Sequence, residues 1–178
     1  VPETRWTVDH PILHVSTQRT SAASYGGFIA GAQRFDNQAF SINGTEANAM
    51  DPQQRLLLSQ GYTALHIASH RRTTLAGSSS GVFLGIERPD WTHAQPQSAR
   101  DSVYAVTADN VSVAAGRLSF VLGLHGECMS VDTACSSSLV VLHSVYHALH
   151  RSNLLLALAL SVSLKLGSQP FLSLSITK

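Results

Sequence analysis

The sequence predicts an α/β domain built on a parallel sheet, and three observations carry that reading. Two short runs of β-branched and apolar residues, 82–86 (VFLGI) and 128–132 (CMSVD), have the length of strands. Each is followed by a longer stretch with apolar residues at helical spacing, "VTADNVSVAAGRLSF" after the first and "SSLVVLHSVYHALH" after the second. A third apolar run, "LLLALALSVSLKL", then completes a strand, helix, strand succession, and parallel neighbours need a crossover helix of this kind.

Taken in order, residues 1–48 show no clear period and read as irregular surface, with the Gly26-Gly27 pair permitting turns. Residues 52–69 read as a helix. Asp51 is its N-cap, Pro52 its first helical residue and Gln54 the returning partner of a capping box. Residues 77–81 (GSSSG) lack a lysine and precede a strand rather than a helix, so they read as a plain turn and not a phosphate cradle. Residues 87–102 are polar, with two prolines and Trp91, and read as an exposed loop. A helix over 104–124, weakened by Gly116, precedes the strand 128–132. The helix 136–150 places Leu139, Leu142, Val145, Tyr146 and Leu149 on one face. With further valines at 140 and 141 it is apolar nearly all round, which predicts burial on several sides. Residues 154–166 read as an interior strand.

Composition narrows the function classes. The chain has 178 residues, enough for one domain or part of one. Charged residues make up 13%, about half the roughly 25% usual for soluble domains, and hydrophobic residues reach 44%. Part of the outer surface is therefore expected to lie against another chain or further sequence. A net charge of +1, with no basic cluster longer than Arg71-Arg72, gives no footprint for nucleic acid. The longest apolar run, 154–160, is far shorter than the roughly 20 residues of a membrane span. Two cysteines, Cys128 and Cys135, with no signal peptide ahead of them, fit a reducing, cytoplasmic setting better than a disulfide framework. In that setting the Asn-x-Ser/Thr triplets at Asn43 and Asn110 are chance matches.

Cys135 is the candidate for chemistry. A cysteine at the turn from strand to helix meets the first helical N–H groups, which have no intrahelical partner. Those groups and the helix dipole favour a thiolate, and the same N–H groups can bind the oxyanion formed when a thioester is attacked. Ser136, Ser137 and Ser138 keep that first turn small. The competing reading is a small buried residue, since free cysteine behaves as a hydrophobe. Cys128, within the apolar strand, reads as core. His143, His147 and His150 share one helix face, but no carboxylate or cysteine at matching spacing completes a metal set. They begin eight residues beyond Cys135, an axial distance of roughly 12 Å that rules out a Cys–His hydrogen bond.

At these residues a family comes into view. "VDTACSSSLVVLH" resembles the active-site signature of the β-ketoacyl synthase (ketosynthase) domains of polyketide and fatty-acid synthases, and "AMDPQQRLLL" is a second match. "VPETRWTVD", "GGFIAGAQRFD", "SGVFLGI" and "SVAAGRLSFVLGL" also resemble family segments, and the likeness runs to about Leu164. The resemblance implies the N-terminal half of a thiolase-like fold, with a buried helix following the active-site cysteine, and a homodimer in the intact form. It implies that Cys135 is catalytic, taking an acyl chain from the phosphopantetheine arm of an acyl carrier protein, with no cofactor bound directly. A malonyl-type extender then loses CO₂ and its carbanion attacks that acyl group.

By the same comparison residues 1–178 are a partial domain, lacking the first strand and the C-terminal half, with 165–178 an unassigned tail. The family's two catalytic histidines and its lysine belong to motifs that these residues do not contain. Glu127 stands for a usual proline, Ala108 for a glycine and Leu160-Ser161 for a Gly-Gly pair. The chain alone is then expected to be acylated at most, without condensing. The alternatives are a non-catalytic scaffold or dimerisation partner, and an unrelated cysteine hydrolase, which would release free acid.

Overall fold

The computed structural model describes residues 26–152, 154–168 and 170–171; the expected irregular stretch 1–25 lies outside them. Contacts divide the chain into two units, Gln33–Leu164 and a second formed by Val1–Ala32 with Lys165–Lys178. Within the second, Gly31 turns the chain at a φ of +76°. Every element below belongs to the first.

Its frame is a three-stranded sheet in the order β2-β1-β3: β1 is Gly81–Ile86, β2 Cys128–Val131 and β3 Ala157–Val162. Both pairings are parallel, with Phe83 opposite Met129 on one side and Ala159 on the other. Among the described residues four helices of more than one turn accompany it: α1 Gly44–Ala49, α2 Pro52–Ile67, α3 Val111–Leu122 and α4 Ser137–Arg151. The alternation of side chains along β1 separates two cores. Val82, Leu84 and Ile86 join Leu57, Leu58 and Leu65 of α2 and Leu118 of α3, whereas Phe83 faces Val141 and Ala148 of α4. The crossover logic of the sequence holds: α3 carries the chain from β1 to β2, and α4 carries it back across β1 to β3.

The stretch before α2 is less passive than the sequence implies. Phe40, Ile42, Ala47 and Met50 are all buried in the main core. Both Asn-x-Ser/Thr triplets turn out to be helix starts. The Asn43 side chain accepts from the Glu46 N–H at 2.7 Å, and that of Asn110 from the Ser112 N–H at 3.0 Å. Asn110 also explains why 104–124 is two elements, a single turn Ala105–Ala108 and then α3. The helix stops at Gly123, whose φ of +67° is the left-handed C-terminal conformation.

The segment "DPQQR" shows what each residue does. The carboxylate of Asp51 accepts from the Gln53 N–H at 2.7 Å, as an N-cap does, with Pro52 following. No capping box closes on it, because the Asp51 N–H is already donated to Ala108 O at 2.8 Å. Gln54 turns instead to α3. Its amide donates to Thr107 O and Asn110 O, and its oxygen accepts from Arg117 Nε at 2.8 Å. Arg117 also pairs with Glu46, so one guanidinium ties α1, α2 and α3 together. Burial to 1% exposure pushes the Asp51 carboxyl up to about 6, with Asp90 and Asp109 adding to the rise.

Four further expectations need correction. Residues 87–102 are not simply an exposed loop: they contain two single turns, and Trp91 is buried with its Nε1–H donated to Ala49 O at 2.7 Å. Most of the α4 face expected in the core is outside, with Leu139 69%, Leu142 56%, Tyr146 58% and Leu149 41% exposed, while Val145 is half-buried and packs with Val141 and Ala148. The sheet takes the opposite stripe, Ser137, Val141 and Ala148, whose small side chains let the helix lie close to Phe83. The third run is an edge strand rather than an interior one among the described residues, and Cys128, on the opposite edge, is exposed rather than core.

Candidate active site

A parallel sheet gathers the C-terminal ends of its strands on one edge, and in α/β folds that edge is where ligands bind. Here it carries Glu87 and Arg88 after β1, Asp132 after β2 and Ser163 after β3. Gln53 braces the same edge. Its side-chain oxygen accepts from the Leu164 N–H at 2.9 Å and its amide donates to Glu87 O at 3.4 Å. Ser163 Oγ–H donates to the Glu87 carboxylate. Strand ends that sequence reasoning could not connect are thus tied to the start of α2.

Cys135 sits between β2 and α4, in the single 3₁₀ turn Ala134–Ser136, and is exposed. The competing reading of a small buried core residue is therefore wrong in geometry. The turn is strained: Ala134 has a φ of +53°, a region that non-glycine residues avoid. Three side chains hold it there. Asp132 accepts from the Ala134 N–H at 3.0 Å through one oxygen and from the Arg88 N–H at 3.3 Å through the other, so it clips the turn to the end of β1. Ser136 Oγ–H donates to Thr133 O at 2.7 Å. Ser137 Oγ accepts from the Thr133 N–H at 2.9 Å and donates to Ala134 O at 2.8 Å.

Helix α4 follows with fifteen residues. Ser136, at its N-cap, makes no side-chain cap bond, and the first turn holds no acidic residue. Cys135 therefore stands at the positive end of a long dipole. The turn comes close to the sheet because position 85 is glycine. A Cβ there would lie 2.6 Å from Ser161 Oγ and 3.1 Å from Ser137 Cβ. Ser161, standing where the resemblance calls for glycine, leaves β3 in register opposite Gly85.

The other candidates stay apart. His143 and His150 are exposed and His147 half-buried along α4, with the His143 and His147 rings 4.4 Å apart and His150 Nδ1 2.7 Å from Tyr146 O. Partial desolvation, then the charges of His143, Arg151 and His150, push His147 below its ordinary value. Among the described residues no three histidine, cysteine or acidic side chains gather to hold a metal. A cavity of about 280 Å³ lined by Phe83, Glu127, Met129, His147 and Arg151 lies at the far end of α4 from Cys135, so it takes no part in this site. No helix among the described residues is long and apolar enough to cross a membrane.

Of these features the sequence disclosed Cys135 and missed its supports. Asp132 was legible as an Asx turn, an aspartate two residues before the amide it binds, and Gly85 as a lone glycine inside a strand. Ser137 had no signal beyond its place at a helix start.

Comparison with known proteins shows the family. Residues 1–178 match the family described as "Beta-ketoacyl synthase, N-terminal domain". A mycocerosic acid synthase-like polyketide synthase from Mycolicibacterium smegmatis is 40% identical over 147 residues, which is 82% of this chain and 7% of that protein. An erythronolide synthase from Saccharopolyspora erythraea is 45% identical over 139 residues, 77% of this chain and 4% of that protein. The solved ketosynthase from module 6 of the bacillaene synthase of Bacillus subtilis 168 superposes with a TM-score of 0.80 at 32% identity, covering 98% of this chain and 28% of that one. The chain thus spans less than a tenth of these curated relatives and under a third of a solved ketosynthase. Fold, motif order and match together make the chain a member of the β-ketoacyl synthase family, corresponding to that family's N-terminal domain.

Proposed function

We propose that this chain carries the acyl-accepting half of a ketosynthase active site, with Cys135 as its nucleophile. The thiolate attacks the carbonyl carbon of an acyl thioester held on the phosphopantetheine arm of an acyl carrier protein. The carbonyl electrons move onto oxygen, where the opening N–H groups of α4 stabilise the charge. The tetrahedral species then expels the pantetheine thiolate, which takes a proton from water and leaves the acyl group on sulfur. The observation that carries this reading is an exposed cysteine on a strained turn at the positive end of α4.

Decarboxylative condensation of a malonyl-type extender belongs to the complete domain, which we take to be a homodimer in a cytoplasmic polyketide-type synthase. The nine histidines here lie outside the motifs that step would draw on. A second reading, a non-catalytic scaffold or dimerisation partner, is favoured by the apolar surface of α4, where Leu139 is 69% exposed.

Intact-mass analysis after incubation with an acyl-pantetheine thioester separates the two. The expected result is one acyl adduct, retained by Cys128→Ser and absent from Cys135→Ala. A folded chain that gains no adduct, or gains it on Cys128, overturns the acyl-accepting role and leaves the scaffold.

A further inference from the structure

We infer that Ser137 is the positioning residue of the Cys135 turn, with Gly85 as the notch that seats it; this rests on the acyl-accepting reading above. Ser137 is 7% exposed although it is polar and follows the nucleophile by only two positions. Its hydroxyl spans the turn, accepting from the Thr133 N–H at 2.9 Å and donating to Ala134 O at 2.8 Å. Both backbone groups flank the bonds whose rotation sets the left-handed Ala134, φ +53°, and so aims Cys135. Asp132 and Ser136 hold the same turn from exposed positions, where water competes for their bonds. Ser137 does so from inside, where an intramolecular bond keeps more of its strength.

Gly85 fixes where that hydroxyl sits. A Cβ at 85 would stand 3.1 Å from Ser137 Cβ and 3.2 Å from its backbone carbon, so only glycine in the central strand lets the first turn of α4 settle this low. The Cys135 Sγ and the opening N–H groups of α4 then keep a fixed spacing. Attack on a carbonyl needs that spacing, because the oxyanion must reach those N–H groups as the S–C bond forms. Displacement of iodide from iodoacetamide develops no oxyanion and does not need it. The ratio of the two rates at Cys135 therefore reads turn geometry, not mere access to the thiol.

The test uses the full chain with Cys128→Ser, so that Cys135 is the only thiol. Acylation by an acyl-pantetheine thioester and alkylation by iodoacetamide are timed by mass spectrometry in the parent, in Ser137→Ala and in Ser144→Ala, a serine of α4 that bonds Val140 O outside the turn. Ser137→Ala is expected to lower the acylation-to-alkylation ratio by at least about fivefold, the loss of one buried hydrogen bond's worth of ordering, with Ser144→Ala within about twofold of the parent. An unchanged ratio in a folded Ser137→Ala, beside a parent that acylates, overturns the role of Ser137 alone. A folded parent that is alkylated but never acylated overturns the acyl-accepting reading, and this inference with it. Should Ser137→Ala fail to fold, amide exchange in the parent decides: Thr133 is expected to exchange at least about tenfold more slowly than an open amide, and full exchange overturns the inference.

Discussion

Asp51 shows how one side chain can hold two opposed roles. It caps α2, a contribution of about 1 kcal/mol, yet it does so at 1% exposure, where its charge is costly. Burial raises its pKa from 3.8 to about 6 in the folded chain. Because the folded value lies above the unfolded one, the favourable contribution is complete below about 4 and is lost as pH rises through about 6, a change on the order of 2–3 kcal/mol. Asp51→Asn keeps the cap without the titration. Chemical denaturation from pH 4 to 7 is expected to show a flatter profile for the variant by that amount, and identical slopes would remove Asp51 as the cause. Arg117 works differently, since its pair with Glu46 joins three helices at 8% side-chain exposure. Arg117→Met is expected to cost about 3–5 kcal/mol by leaving Glu46 and Gln54 without their partner, read as a lower denaturation midpoint.

Helix α4 is where element-level reading was most tested. Its start, its end and its place after a strand were legible from "SVDTACSSS" and from the apolar spacing that follows. Its buried face was not. Large side chains at 139, 142, 146 and 149 look like core to any rule based on hydrophobic area, but a helix meets a sheet through whichever stripe permits close approach. Here that stripe is Ser137, Val141 and Ala148. Val141→Ala is accordingly expected to cost about 1.5–3 kcal/mol. Leu139→Ala, at 69% exposure, should stay within about 0.5 kcal/mol of the parent in thermal and denaturant unfolding. The reverse order would return the leucine face to the core. The same limit explains Trp91, read as loop because its neighbours are polar, while its indole nitrogen had a backbone carbonyl waiting 42 positions earlier. Helix α2 was easier, because Asp51 and Pro52 mark a start by local chemistry that needs no partner.

At the scale of the whole molecule, the parallel sheet and its crossovers were readable from element order, whereas the sheet order β2-β1-β3 was not, since no local signal says which strand is central. The low charge content, 13%, has a visible counterpart in the uncovered face of α4. Leu139→Glu with Leu142→Lys is expected to lower binding of an apolar fluorescent dye without lowering the unfolding temperature, and unaltered dye binding would place the apolar surface elsewhere. The clip between Arg88 and Asp132 joins positions 44 apart, and the notch at Gly85 is equally remote from the loop it seats. On a nascent chain β1 and Arg88 leave the ribosome ahead of the thiol, whereas β3 follows it. The frame that seats the loop is therefore complete only once the last strand to be made, β3, has paired with β1, so the final shape around Cys135 waits on residues some twenty positions beyond it.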